Sequence, residues 1–123
     1  MRAPDPGAPP LAELRDVARV YPRGSREVAA LAGLSLVIRE GEKLSVMGPS
    51  GSGKTTLLSI LGLLERPTRG SQLFAGREVG ALDDDTLSRL RNQTIGFVFQ
   101  AFHLIPQLTV AENVETPLQY GGV

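Results

Sequence analysis

The sequence predicts an α/β fold: a strand–loop–helix core preceded by an antiparallel β-subdomain. Three observations point there. A short apolar run, residues 43–47, leads into the glycine-rich loop Gly48-Pro49-Ser50-Gly51-Ser52-Gly53-Lys54-Thr55, and a leucine-striped segment follows. Before that loop, short apolar runs alternate with turn residues, the pattern of hairpin strands. After it, residues 95–99 are almost all apolar, as in a parallel strand buried on both faces.

The 123 residues give room for one small domain. Hydrophobic residues make up 41% and charged residues 21%, ordinary values for a soluble globular chain. The 13 basic and 13 acidic side chains cancel, which removes the electrostatic ground for a nucleic-acid partner. Any phosphate binding must then come from a local site. Cysteine is absent, so disulfides and thiolate metal sites are excluded. This fits a reducing compartment. The single histidine, His103, excludes a histidine-based metal cluster. The longest apolar stretch, residues 57–64, is too short to span a bilayer, so work at a membrane would proceed from the water side through a partner.

Residues 1–10, with Pro4, Pro6, Pro9 and Pro10, read as a disordered leader and carry no secretory-signal core. Residues 11–21 alternate partially and predict a strand, and Pro22, Gly24 and Ser25 predict a turn. Two short strands are expected at 27–31 and 34–38, around Gly33, with a turn at Glu40-Gly41-Glu42. Residues 43–47 are expected as a strand and 54–64 as a helix with Leu57, Leu58, Leu61 and Leu64 on one face. Pro67 and Gly70 stop that helix, and residues 71–75 suit a strand. Asp83, Asp84 and Asp85 suit the start of a helix reaching about Asn92, where carboxylates meet the positive dipole end. A metal role for them is the weaker reading. Residues 95–99 are expected as a strand. Thr109-Val110-Ala111-Glu112 has capping-box spacing and should start a helix limited by Pro117.

The loop matches G-x-x-x-x-G-K-[ST] in full. A nucleoside triphosphate presents clustered negative charge that must be held. Gly48, Gly51 and Gly53 let the backbone curl, so that N–H groups there and at Ser50 and Ser52 face phosphate oxygens. The helix starting near Gly53 adds its dipole. Lys54 is expected to reach the β- and γ-phosphates, the Thr55 hydroxyl to ligate Mg²⁺, and Thr56 to reach the α-phosphate. ATP with Mg²⁺ is the expected ligand.

Beyond the loop, Thr56-Leu57-Leu58, the stretch 60–70, Ile95-Gly96-Phe97-Val98-Phe99-Gln100, Leu104-Ile105-Pro106 and 108–114 resemble ATP-binding cassette (ABC) proteins. The combination is similar to macrolide exporters and lipoprotein-release ATPases, over residues 11–123. That resemblance implies a P-loop NTPase core of the ABC type with an N-terminal antiparallel β-subdomain, of which this chain is the N-terminal part. It implies that Tyr21 stacks on adenine, against the plainer alternative of a strand-end aromatic. It implies that Gln100 contacts Mg²⁺ and the attacking water, as a Q-loop glutamine whose amide both donates and accepts. Phe102, Leu104 and Ile105 are either core residues or neighbours of a groove for a helix of the membrane subunit.

The same resemblance implies ATP hydrolysis coupled to transport, a transmembrane permease subunit or domain as partner, and a place at the inner face of the cytoplasmic membrane. A signature motif, a Walker B strand ending in Asp-Glu and a switch histidine have no match between Gln100 and Val123, so the chain is expected to be truncated. It is then expected to hydrolyse ATP poorly alone, and the family's homodimer is expected only of a complete chain. A non-catalytic remnant and an ABC-type ATPase acting outside transport are the competing readings.

Overall fold

Four strands and three helices form among residues 7–101 and 103–120, the residues that the computed structural model describes. Phe102, residues 121–123 and the first six residues of the expected leader lie outside them. Two units divide the chain, Met1–Leu82 and Asp83–Val123, and each is described by itself.

The first unit is built on a long hairpin. β1 (Ala12–Arg23) and β2 (Arg26–Ile38) run antiparallel from Ala12↔Ile38 to Arg23↔Arg26, with Gly24 and Ser25 as the two-residue turn. The two strands expected around Gly33 are one. The register passes from Val17↔Leu34 to Ala18↔Ala32, so Gly33 is the extra residue of a bulge and the ladder continues past it. The strand expected at 71–75 forms as β3 (Arg69–Phe74) and pairs antiparallel with the other edge of β1, and a short β4 (Arg77–Glu78), not foreseen, pairs with β3. The sheet order is β2-β1-β3-β4.

One helix, α1 (Lys54–Leu61), packs against this sheet. Leu14, Val17 and Leu31 from the hairpin meet Leu57 and Ile60 from the helix. Burying each such side chain contributes about 1.5–3 kcal/mol. The apolar face is therefore Leu57 and Ile60, with Leu61 partly buried, while Leu58 and Leu64 are exposed.

The helix also ends three residues early. Gly62 caps it, Leu63 turns left-handed (φ 61°), and the Leu63 and Leu64 amides donate to the Ile60 and Ser59 carbonyls at 3.0 and 2.8 Å. This is a Schellman ending with leucine where glycine is usual. Complete burial of the Leu63 side chain offsets the ~1–2 kcal/mol that a left-handed non-glycine residue costs. Gln72 of β3, itself buried, donates its amide to the Ile60 carbonyl at 2.6 Å and ties the helix end to the sheet.

Two expected strands do not form. Residues 43–47 and 95–99 carry no ladder, because an extended run becomes a strand only by exchanging hydrogen bonds with a neighbour. Among the described residues no segment pairs with either one. Leu44, Met47, Val98 and Phe99 are exposed, not buried.

In the second unit, α2 (Asp84–Thr94) starts as the aspartates predict. The Asp83 side chain accepts from the Thr86 amide at 2.7 Å, and Asp84 and Asp85 fill the first turn. α3 (Val110–Tyr120) starts at the expected capping box, where Thr109 Oγ1 accepts from the Glu112 amide at 3.1 Å. Pro117 does not limit this helix but lies inside it. Its carbonyl accepts from the Asn92 side chain at 3.3 Å, which gives the last turn a partner outside the helix.

Candidate functional site

The loop 48–55 forms a cleft of about 380 Å³ lined by Ala30, Ser50, Gly51, Gly53, Lys54, Thr55 and Thr56. Two glycines make the curl possible. Gly53 has φ 91°, and a Cβ there would lie 2.4 Å from the Ala30 carbonyl oxygen. No other residue fits between β2 and the start of α1. A Cβ on Gly48 would lie 2.7 Å from Ser52 Oγ, on the opposite wall of the turn. The Ser52 amide closes that turn onto the Pro49 carbonyl at 3.2 Å.

The N-terminus of α1 differs from that of α2. Asp83 caps α2 and acidic residues fill its first turn. Gly53 caps α1 without a side-chain hydrogen bond, and the first turn of α1 has no acidic residue. The positive end of the α1 dipole thus faces the cleft without a carboxylate of its own to answer it. Lys54 adds a full charge there. Its Nζ turns back on the loop and donates to the Gly48 carbonyl, a neutral acceptor that a charged phosphate oxygen would outcompete. Thr55 is exposed and Thr56 half-buried, both at the cleft.

Tyr21 is not among the residues lining the cleft. It pairs with Val28 in the hairpin, two residues before Ala30 on β2. Its phenol donates to Glu65 Oε2, and the Arg19 guanidinium lies over its ring, 4.7 Å from the centroid. The sequence reading missed Arg19 and Glu65. Arg19 had a local signal, since residues two apart on a strand share a face. Glu65 had none, because only the fold returns it to the hairpin.

Gln100 belongs to the second unit, where it is exposed in the irregular segment after residues 95–99. Phe97 and Phe99 stack at 5.3 Å, and His103 meets Phe99 edge-on at 4.8 Å, a packing contact. Leu104, Ile105, Pro106, Leu108, Val110, Asn113 and Val114 line a second, apolar cleft of about 350 Å³. Leu104 and Ile105 are exposed there, which overturns the core alternative for both. Asn113 holds its rim. Its Oδ1 accepts from the Ile105 amide at 2.8 Å and its Nδ2 donates to the Thr109 carbonyl at 2.9 Å. Nothing in the sequence reading singled out Asn113.

Residues 31–121 match the family profile described as ABC transporter. The chain belongs to the ABC transporter family. An uncharacterized ABC transporter ATP-binding protein of Thermotoga maritima is 52% identical over 111 residues, covering 90% of this chain and 47% of that protein. The macrolide export ATP-binding/permease protein MacB of Shigella flexneri is 48% identical over 114 residues, covering 93% of this chain and 18% of that protein. Among solved structures, the dimeric ATP-binding cassette MJ0796 in a post-hydrolysis state with ADP and Pi superposes with a TM-score of 0.84 at 47% identity. The match covers 89% of this chain and 47% of that cassette. The α/β fold with its antiparallel subdomain is therefore that of ABC cassettes, and this ABC chain spans about half the length of the cassettes it matches.

Proposed function

We propose that this chain binds ATP with Mg²⁺ as one side of the nucleotide site of an ABC transporter. The observation that carries the proposal is the α1 N-terminus, which has no acidic side chain, lies beneath a glycine curl and bears Lys54. Amides of Gly48, Ser50, Gly51, Ser52 and Gly53 take the phosphate oxygens, Lys54 takes the β- and γ-phosphates, and Thr56 takes the α-phosphate. The exposed Thr55 hydroxyl is a hard oxygen donor suited to Mg²⁺, and Gln100 would add an amide oxygen. Bound Mg²⁺ would neutralise developing phosphate charge. Tyr21 serves the adenine and Gln100 orients the attacking water.

These residues bind and orient. Glu112 accepts from the Thr109 hydroxyl in the α3 capping box, so it is spoken for structurally, and full turnover calls for a carboxylate from elsewhere. Residues 11–123 form the N-terminal part of an ATP-binding domain that works at the inner face of the cytoplasmic membrane, beside a permease. Such a domain serves small-molecule export or lipoprotein release, and the name of the Shigella relative supports export. The dimeric MJ0796 cassette supports pairing of completed domains.

Titration of the purified protein with MgATP tests the site. Hydrogen bonds to charged groups contribute about 1.5–3 kcal/mol, so Lys54→Ala should weaken affinity about tenfold to a hundredfold. An unchanged dissociation constant would remove Lys54 and the loop from the account.

A further inference from the structure

We infer that Arg19 and Glu65 are positioning residues that lock the Tyr21 ring before nucleotide arrives, so that it presents one fixed face to the nucleobase. The inference rests on the reading of Tyr21 as the base platform. Three contacts carry it. The Arg19 guanidinium lies 4.7 Å from the ring centroid and so occupies one face of the ring. The Tyr21 hydroxyl donates to Glu65 Oε2, which fixes the tip of the ring. Arg19 Nη1 donates to the Arg66 carbonyl at 3.1 Å, which fixes the guanidinium.

The position of Arg19 is not the one that ion pairing alone would choose. Its Nε is buried without a hydrogen-bond partner among the described residues, although Glu65 Oε2 lies only 3.9 Å away. An arginine placed to pair with Glu65 would close that gap and satisfy the Nε–H. The guanidinium lies over the ring instead, and the Glu65 oxygen is taken by the phenol. The ring face and the Arg66 carbonyl together hold this cation, with Glu65 as its more distant ion-pair partner.

Two consequences follow for a base. Only the ring face opposite Arg19 can receive it. A ring held at its face and its tip has also lost its rotational freedom before binding, so less entropy remains to be lost when the base stacks. Glu65 and Arg66 follow α1, whose first turn forms the phosphate cleft. The segment just after α1 therefore anchors the base platform, and the first turn of α1 bears Lys54 and Thr55.

The test is a pair of titrations, with ATP and with inorganic tripolyphosphate, which has no base. Base stacking on an aromatic contributes about 1–3 kcal/mol, so Tyr21→Ala should lower ATP affinity about tenfold and leave tripolyphosphate affinity unchanged. Arg19→Ala should lower ATP affinity about threefold, within the range of an exposed to partly desolvated cation–π contact, again sparing tripolyphosphate. The double variant should bind ATP no worse than Tyr21→Ala alone, because Arg19 acts through the ring. Glu65→Gln, which keeps an acceptor for the phenol, should retain most of the affinity that Glu65→Ala loses.

Arg19→Ala without effect, where Tyr21→Ala has one, would overturn the positioning role and leave the stacking reading standing. Equal losses for ATP and tripolyphosphate would mean general damage and would also overturn it. Tyr21→Ala without effect would remove the stacking reading and the inference together. Should Arg19→Ala fail to fold, Arg19→Met, which keeps an unbranched chain over the ring, is judged by the same ratio of affinities.

Discussion

Gly53→Ala tests the architecture of the phosphate loop at its tightest point. Two separate costs follow from the structure. Residue 53 has φ 91°, a backbone region that costs a non-glycine residue about 1–2 kcal/mol. The added methyl would also lie 2.4 Å from the Ala30 carbonyl oxygen and 3.3 Å from Leu31 Cδ2. Forced overpacking of this kind costs about 1–3 kcal/mol, so the total loss is about 2–5 kcal/mol. Gly51 supplies the control. It has φ 82°, but its Cβ would meet nothing within 4 Å, so Gly51→Ala carries the backbone cost alone. Urea unfolding of both variants reads the difference, which should be about 1–3 kcal/mol against Gly53→Ala. A Gly51→Ala loss equal to or larger than the Gly53→Ala loss would refute the claim that β2 presses on the start of α1.

Other substitutions probe the remaining supports. Ile60→Ala removes a fully buried side chain from the hairpin–helix core and should cost about 2–5 kcal/mol in the same unfolding assay. Gln72→Ala withdraws a buried donor from the Ile60 carbonyl and should cost about 1–3 kcal/mol, with hydrogen exchange rising first at the C-terminal end of α1. Asp83→Ala removes the α2 cap and should cost about 1 kcal/mol, recovered by Asp83→Ser, as measured by thermal unfolding.

How far the sequence could be read depended on where each signal resides. The β1–β2 hairpin was legible because its turn residues and apolar runs are local, and so was the cap at Asp83. The loop 48–55 was legible because its spacing is rigid and its backbone demands are met by glycines in sequence. The runs 43–47 and 95–99 misled because apolar composition describes what a strand would bury, not whether a neighbour is there to pair with it. Gly62 was read as part of a longer helix. Whether the chain turns left-handed at Leu63 depends on the pocket that receives the leucine, which only tertiary packing supplies. Pro117 was read as a helix limit, but it lies inside α3, where its missing N–H forfeits one hydrogen bond to the Asn113 carbonyl and its own carbonyl is taken by the Asn92 side chain from outside the helix. Arg19, Glu65 and Asn113 also escaped notice. Glu65 reaches Tyr21 and Asn113 reaches Ile105 only across the fold, whereas Arg19 lies two residues from Tyr21 on the same strand face, a local signal that went unread.

The central claim is that the curl over the α1 N-terminus is where this chain holds nucleotide. Amide chemical-shift mapping on addition of MgATP tests it residue by residue. The account predicts that the largest shifts fall on Gly51, Ser52, Gly53, Lys54, Thr55 and Thr56, and that Lys54→Ala suppresses them at the same nucleotide concentration. Saturable shifts confined to the apolar cleft around Leu104 and Val114, with the loop amides unmoved, would contradict it.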